Sequence, residues 1–382
     1  MKVLFLYLPT GQGHYATSKA LADYLQEQGA TCELLDVYKQ IAPLLNETVS
    51  RGYLLSTAYA KPAYRKIYQI MDRVTKPSSP YSPTQLVNRL LTHEIQDYIV
   101  NFQADVIISS HVFASCMLNL MKKRGLLPNT LTVNIITDFT VHPLWQECSD
   151  MDYYVVASEF LAYGLQRKGI SLSKMLPFGI PVHPKFSHRI EQSEARRQLD
   201  LDPDKKTLLI MSGSMGFGHL DETMEKLNLL PFDYQALIVC GNNKRMYRLL
   251  KTIPVKKDFR IYGFVDNVDL MMDASDCIIT KPGGLTSSEA LTKGLPMIMI
   301  NPIPGQETRN VEFMLNNGLA LYVTPTFPLE EAVYNLFSSP LRVRVLRDTI
   351  QLFGKRNATQ DLCEFVVHWY EAKQTQPSNI MV

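Results

Sequence analysis

Between Lys281 and Asn310 the sequence gathers residue types that hold phosphates and polyols. The stretch reads Thr280-Lys281-Pro282-Gly283-Gly284-Leu285-Thr286-Ser287-Ser288-Glu289-Ala290, then Gly294-Leu295-Pro296, then Asn301-Pro302-Ile303-Pro304-Gly305-Gln306-Glu307-Thr308-Arg309-Asn310. Gly283-Gly284 makes a tight loop whose backbone can approach a ligand closely. Thr286 and Ser287 are expected to cap the helix that follows. Glu289, one turn in, can reach a ribose diol; taken alone, a carboxylate there also serves as a complement to the helix dipole. Gln306, Glu307 and Asn310 offer donors and acceptors suited to sugar hydroxyls and phosphate.

Two further glycine loops follow apolar runs. Gly11-Gln12-Gly13-His14 comes after Val3–Leu8 and opens a helix, where backbone N–H groups favour negative charge. The third glycine of a dinucleotide fingerprint is absent, so a tight strand-to-helix turn is the competing reading. Ser212-Gly213-Ser214-Met215-Gly216-Phe217-Gly218 follows Thr207–Met211, and its amides could cradle a diphosphate. Histidine suits a general base near neutral pH, which makes His14 a candidate. Metal chemistry is not expected. The six cysteines are scattered with no CxxC pair, the histidines are not at ligand spacing, and Asp150-Met151-Asp152 reads as a strand-entry turn. His111, after Ser109-Ser110, and His142 lie near strand ends and are candidates for the acceptor side.

These residues need a scaffold of alternating strands and helices. Val3–Leu8, Cys32–Asp36, Asp105–Ser109, Thr132–Ile136 and Tyr153–Ala157 read as strands separated by helical patterns. A second series begins with Thr207–Met211 and continues through Ala236–Cys240, Arg260–Tyr262, Cys277–Ile279 and Pro296–Ile300. The fold class is therefore α/β with two parallel sheets. Residues 1–185 are expected as one domain, 186–203 as a linker rich in Pro, His and charge, 204–357 as a second domain, and 358–382 as a final helix and tail. Ligands in such sheets bind beyond the carboxyl ends of the strands, and a cleft between the two domains is expected to hold them.

The Lys281–Asn310 block, Gly11–His14, Thr137-Asp138-Phe139 with His142 and Trp145, and Phe178-Gly179-Ile180-Pro181-Val182 occur in an order that covers nearly the whole chain. Together they resemble the GT-B glycosyltransferases of the monogalactosyldiacylglycerol synthase and processive diacylglycerol glucosyltransferase group. The group is related to the lipid-II N-acetylglucosaminyltransferase of peptidoglycan synthesis. The resemblance implies two Rossmann-like domains, with the C-terminal helix packed back on the first. It implies an inverting, metal-independent transfer of glucose or galactose from a UDP-sugar, without a cofactor. In that frame the uracil lies along Phe264 and Val265, Glu289 holds the ribose, and Ser214, Met215, Thr286 and Ser287 face the diphosphate. Gly13, Gly283 and Gly284 border the donor, and Gln306, Glu307 and Asn310 meet the hexose and phosphate. His14 is the candidate base, with Asp138 orienting it or acting in its place. The loop Gly213–Gly218 is richer in glycine than the resemblance leads one to expect.

The formal net charge of +2 argues against a nucleic-acid partner. Val3–Leu8 is cut short by Pro9-Thr10-Gly11, and no apolar run of about 20 residues occurs, so neither a signal segment nor a membrane span is read. The positive excess falls on Arg51, Lys61, Arg65, Lys66, Arg73 and Lys76, interleaved with Tyr53, Tyr59, Tyr64 and Tyr68. That composition suits an anionic membrane surface, with a pair of core-facing helices as the alternative. Together with the resemblance it points to a lipid acceptor and a peripheral place on the cytoplasmic face of the cell membrane. Three alternatives stay open: the same fold acting on a soluble hydroxylated metabolite such as a polyketide, a UDP-sugar 2-epimerase, and a UDP-sugar-binding sensor.

Overall fold

The computed structural model describes residues 1–9, 12–41, 83–211 and 220–375. The chain forms two compact units, Met1–Pro184 with Asn357–Val382, and Lys185–Arg356.

The first unit is built on a parallel sheet of β1 (Lys2–Tyr7), β2 (Thr31–Asp36), β3 (Val106–Ser109), β4 (Leu131–Ile135), β5 (Tyr153–Val155) and β6 (Met175–Leu176), in the order β2-β1-β3-β4-β5-β6. Helices on both faces explain the unbroken apolar run of β1, where Val3, Leu4, Phe5 and Leu6 are all fully buried. From β1 the chain builds outward to β2 and then returns to the other side of β1 for β3. The loops that leave β1 and β3 therefore diverge, which is where open α/β sheets admit ligands. The helix Ala358–Thr375 completes this unit. Its Leu362, Cys363 and Val366 are fully buried in the same core as Val3 and Phe5, and Thr359 Oγ1 donates to the Val182 carbonyl at 2.6 Å.

The second unit repeats the plan with β7 (Lys206–Met211), β8 (Tyr234–Val239), β9 (Asp258–Tyr262), β10 (Cys277–Thr280), β11 (Met297–Met299) and β12 (Ala320–Tyr322), in the order β12-β11-β10-β7-β8-β9. All pairings are parallel. Here the switch lies between β7 and β10, so the Lys281–Gly284 loop opens at the same topological position as the β3 loop of the first unit. β6 and β12, of two and three residues, are too short for periodicity to reveal.

Residues 186–203, expected as a linker, are part of the second unit. They carry the helix Gln192–Gln198, and Arg196 is 6% exposed. Its guanidinium donates to Asp276 at 2.8 Å, to the Ala274 carbonyl at 3.0 Å and to the Pro203 carbonyl at 2.7 Å. Asp276 also accepts the Thr207 amide at 2.8 Å, so this charge anchors the start of β7. A polar composition reads as a linker until a buried ion pair with a hydrogen bond from each guanidinium nitrogen turns out to be using it. Among the described residues, no helix is long and apolar enough to cross a membrane.

Candidate functional site

In the first unit, loops after β1, β3 and β4 bring His14, His111 and Thr137 together. His14 stands in the first turn of the helix Gln12–Glu27, which Thr17, Ser18, Leu21 and Leu25 seat on the sheet. Its Nδ1 lies 2.6 Å from the Ser110 carbonyl. A carbonyl only accepts, so Nδ1 carries the proton and Nε2 is left with a bare lone pair. Thr137 Oγ1 is 3.4 Å from the same Nδ1. Ser110 is itself fixed, with Oγ 3.2 Å from the His14 carbonyl and accepting from Ser18 at 3.2 Å. The His111 ring meets that of His14 edge to face, with centroids 4.7 Å apart.

His111 and His142 have capping roles that their sequence positions did not announce. His111 Nδ1 accepts the Phe113 amide at 3.2 Å and caps the helix Val112–Lys123. His142 Nδ1 accepts the Leu144 amide at 3.1 Å and caps the 3₁₀ turn Pro143–Cys148. In both, the accepting Nδ1 puts the ring proton on Nε2. Burial lowers the pKa of His14 to about 4, and the Ser110 bond offsets only part of this. The residue as a whole keeps some exposed surface; crowding by protein, not full enclosure, displaces the water that would solvate a cation. Burial, followed by the charges of His14 and His142, holds His111 well below the ordinary histidine range. Near neutral pH His14 is thus an unprotonated imidazole. Asp138 follows Thr137 on the β4 loop and is half-buried.

In the second unit the Lys281–Asn310 block folds as one structure. The helix runs Gly284–Lys293 with Gly283 as its N-cap and no side-chain cap. Thr286 and Ser287, expected as caps, lie inside the first turn, because Gly283 already supplies the extended cap conformation (φ −71°, ψ 142°). The uncapped first-turn amides and the positive helix end suit an anion. Ser287, expected to face the diphosphate, is instead fully buried, and its Oγ, like Thr280 Oγ1, has no hydrogen-bond partner among the described residues. Leaving such groups unpaired costs about 1–3 kcal/mol each. The second loop turns at Gly305, whose φ of 99° and ψ of −108° exclude a residue with a side chain. The turn starts the helix Gln306–Asn316 and aims Glu307 back at the first loop. Glu307 Oε1 pairs with Lys281 Nζ at 2.6 Å, and Oε2 accepts the Ile303 amide at 2.8 Å.

Asn310 is a correction. It is fully buried and donates to the Pro282 carbonyl at 3.0 Å, so it braces the glycine loop and presents no surface to a ligand. Gln306, at the helix start, and Thr286 are half-buried. Glu289 is half-buried, and burial raises its pKa to about 8, against the opposing influence of the Lys185 charge. Lys185 is itself paired with Asp269 at 3.2 Å. Phe264 is 67% exposed and, with Gly241, Asn242, Tyr247, Arg248 and Gly263, lines a pocket of about 370 Å³ between the loops after β8 and β9. Val265 is half-buried beside it. Ser214 and Met215, and the membrane candidates Tyr64, Arg65 and Tyr68, lie outside the described residues. The carboxylates of Asp150 and Asp152 are engaged by Lys123 and Lys122.

Sequence reasoning missed Ser110 as the partner of His14, although Ser109-Ser110-His111 at a strand's carboxyl end was a usable signal. It also missed Lys281 as the partner of Glu307 and Lys185 as the neighbour of Glu289, for which spacing held no signal.

The chain matches known proteins in both units. Residues 14–182 match the monogalactosyldiacylglycerol (MGDG) synthase family model, and residues 207–362 match the glycosyltransferase family 28 C-terminal domain. It is 28% identical over 370 residues to the processive diacylglycerol beta-glucosyltransferase of Bacillus pumilus, covering 96% of this chain and 94% of that one. It is 30% identical to the chloroplastic monogalactosyldiacylglycerol synthase 1 of Arabidopsis thaliana over 83% of this chain, which spans 61% of that relative's length. Among solved structures, MurG of Acinetobacter baumannii aligns with a TM-score of 0.62 at 17% identity, over 96% of this chain and 99% of that one. The calicheamicin glycosyltransferase CalG4 aligns with a TM-score of 0.59 at 14% identity, over 96% and 98%. The two structural likenesses establish the GT-B fold, and the two family models between them run through both units. The chain is a member of the monogalactosyldiacylglycerol synthase and processive diacylglycerol glucosyltransferase family of GT-B glycosyltransferases.

Proposed function

We propose that the protein transfers a hexose from a UDP-sugar to a hydroxyl of a diacylglycerol-type lipid, inverting the anomeric carbon, at the inner face of the cell membrane. The observation that carries the reading is the His14 imidazole, with Nδ1 held by a carbonyl and Nε2 bare, in a chain whose relatives are named as diacylglycerol glycosyltransferases. The acceptor hydroxyl gives its proton to His14 Nε2 as its oxygen bonds to the anomeric carbon. The bond from that carbon to UDP breaks, and its electron pair leaves on the diphosphate. Asp138, on the neighbouring loop, favours the charge that His14 gains. The leaving diphosphate is stabilised by the uncapped amides at Gly284 and by the Thr286 hydroxyl, so this reading requires no metal or cofactor. Glu289 takes the ribose, the uracil lies along Gly263–Val265, and Gln306 takes the hexose. Gly13 and Gly283 keep their loops open to the donor. Glu307, with both oxygens engaged, holds the two donor loops together and can still accept a hexose hydroxyl.

The test is the purified protein with UDP-glucose or UDP-galactose and diacylglycerol, read as UDP release and as glycolipid by mass spectrometry. Both products are expected. Turnover of a soluble alcohol with none of the lipid would overturn the reading.

His111 is a positioning residue in this scheme. Its Nδ1 is spent on the helix cap, and its Nε2–H is a donor beside the base. His111→Asn keeps a cap-competent group and removes the donor. It should raise the acceptor KM about 5–10-fold, the worth of one hydrogen bond, with kcat less affected. His111→Gln places an amide donor near the lost Nε2–H and should recover most of that KM, while lowering stability by about 1 kcal/mol through the weaker cap. Equal KM values for the two variants would reduce His111 to a structural cap.

A further inference from the structure

The helix Pro340–Phe353 of the second unit has two apolar faces. Leu346 and Ile350 turn inward and are buried. Leu341, Val345 and Leu352 are 67%, 56% and 82% exposed. At 100° per residue those three fall within about 40° of one another, so they form one outward stripe.

Basic groups surround the stripe. Arg342 and Arg344 are exposed on its flanks and Lys355 and Arg356 follow the helix end, while the half-buried Arg347 falls about 140° from the stripe, on the inward side. Asp348, exposed and within about 20° of Leu341 on the same face, is the single acid between Ser339 and Arg356. Arg189 joins them, since the charges of Arg356 and Arg347 both bear on it. The nearby Asp273 is committed to Lys293 at 2.5 Å, with both side chains almost wholly buried. Among the described residues, no carboxylate pairs with Arg342, Arg344, Arg347 or Arg356. Gathering like charges on one face is unfavourable unless something negative lies against it. Leucines in the middle of those charges require the same partner to offer apolar depth. An anionic bilayer supplies both at once, whereas a small soluble anion covers only the cations.

We propose that the outward face of this helix, Leu341, Val345 and Leu352 flanked by Arg342, Arg344 and Arg356, docks on an anionic phospholipid surface. The proposal rests on the lipid-acceptor reading above for its purpose. It assigns the second unit a membrane contact of its own, separate from the Tyr53–Lys76 segment of the first.

The test uses the full chain, sedimented with vesicles of phosphatidylcholine alone or with added phosphatidylglycerol. Binding is expected only to the anionic vesicles and should weaken as salt is raised. R342Q/R344Q/R356Q and L341S/V345S/L352S should each lower partitioning at least about tenfold. Both should keep the wild-type melting temperature and turnover of a dispersed short-chain diacylglycerol. Wild-type partitioning by both variants would overturn the proposal. So would a leucine variant that turns a dimer into a monomer with vesicle binding unchanged, because the face would then join two copies of the chain. Failure of the unaltered protein to glycosylate the short-chain lipid counts against the acceptor reading alone; the vesicle measurement decides the docking face either way.

Discussion

His14→Ala is expected to lower kcat by roughly 10²–10⁴-fold, the usual contribution of a general base. UDP affinity should stay within about twofold, because the donor contacts proposed here come almost wholly from the second unit. The Ser110 carbonyl fixes the Nδ1–H tautomer, and the bare Nε2 is the acceptor in the cluster that has no structural task. The pH profile gives an independent check. The pKa of His14 is lowered to about 4, so the base is present in its working form at every pH above that value. Measured in a Glu289→Gln background, where the donor-site carboxylate no longer titrates, the acid limb of kcat/KM, which reports the free enzyme, should fall near pH 4 instead of near 6.5. Bound diphosphate favours the imidazolium, so the limb of kcat should lie higher than that of kcat/KM. A His14→Ala variant with kcat within tenfold of wild type would remove the residue from the mechanism. An acid limb of kcat/KM at 6.5 would place the ring in water.

What the sequence shows of this protein depends on how locally each feature is determined. The strands β1, β7 and β8 are legible because a parallel strand buried on both faces reads as an uninterrupted apolar run, as in Val3–Leu6. The Gly305 turn is legible because so few residues can adopt its positive φ. Partnerships across the fold are not. The Lys281–Glu307 pair spans 26 residues and His14–Ser110 spans 96, and no periodicity links their members. Asn310 shows the same limit. Its amide suits a sugar, and only the course of the helix Gln306–Asn316 turns it inward to the Pro282 carbonyl. Arg196 made a buried anchor look like linker chemistry, since pairing is what permits a guanidinium inside and pairing is tertiary.

Glu289 carries the second large effect, and its chemistry separates binding from turnover. Glu289→Ala should weaken UDP and UDP-sugar binding by roughly 10–100-fold, the cost of hydrogen bonds to a charged group, and leave kcat at saturation within a fewfold. Ribose hydroxyls donate, so they favour the ionised carboxylate, whereas burial raises the pKa of the empty site to about 8. Donor binding near neutral pH should therefore release a proton, seen by calorimetry in buffers of different ionisation enthalpy. Affinity should tighten as pH rises towards 8 and level off above it. Stability moves in the opposite direction. The unfolded chain ionises this group from 4.5 upward and the folded protein only near 8, so the folded state holds the extra proton between those values and loses stability as pH rises through the window. Glu289→Gln removes the titration. Its melting temperature relative to wild type should climb from pH 4.5 to about 8 and then stay level, while its UDP affinity should lose this pH dependence. A melting difference that does not change with pH would show the carboxylate to be well solvated. Unchanged UDP affinity in the alanine variant would take the ribose away from Glu289.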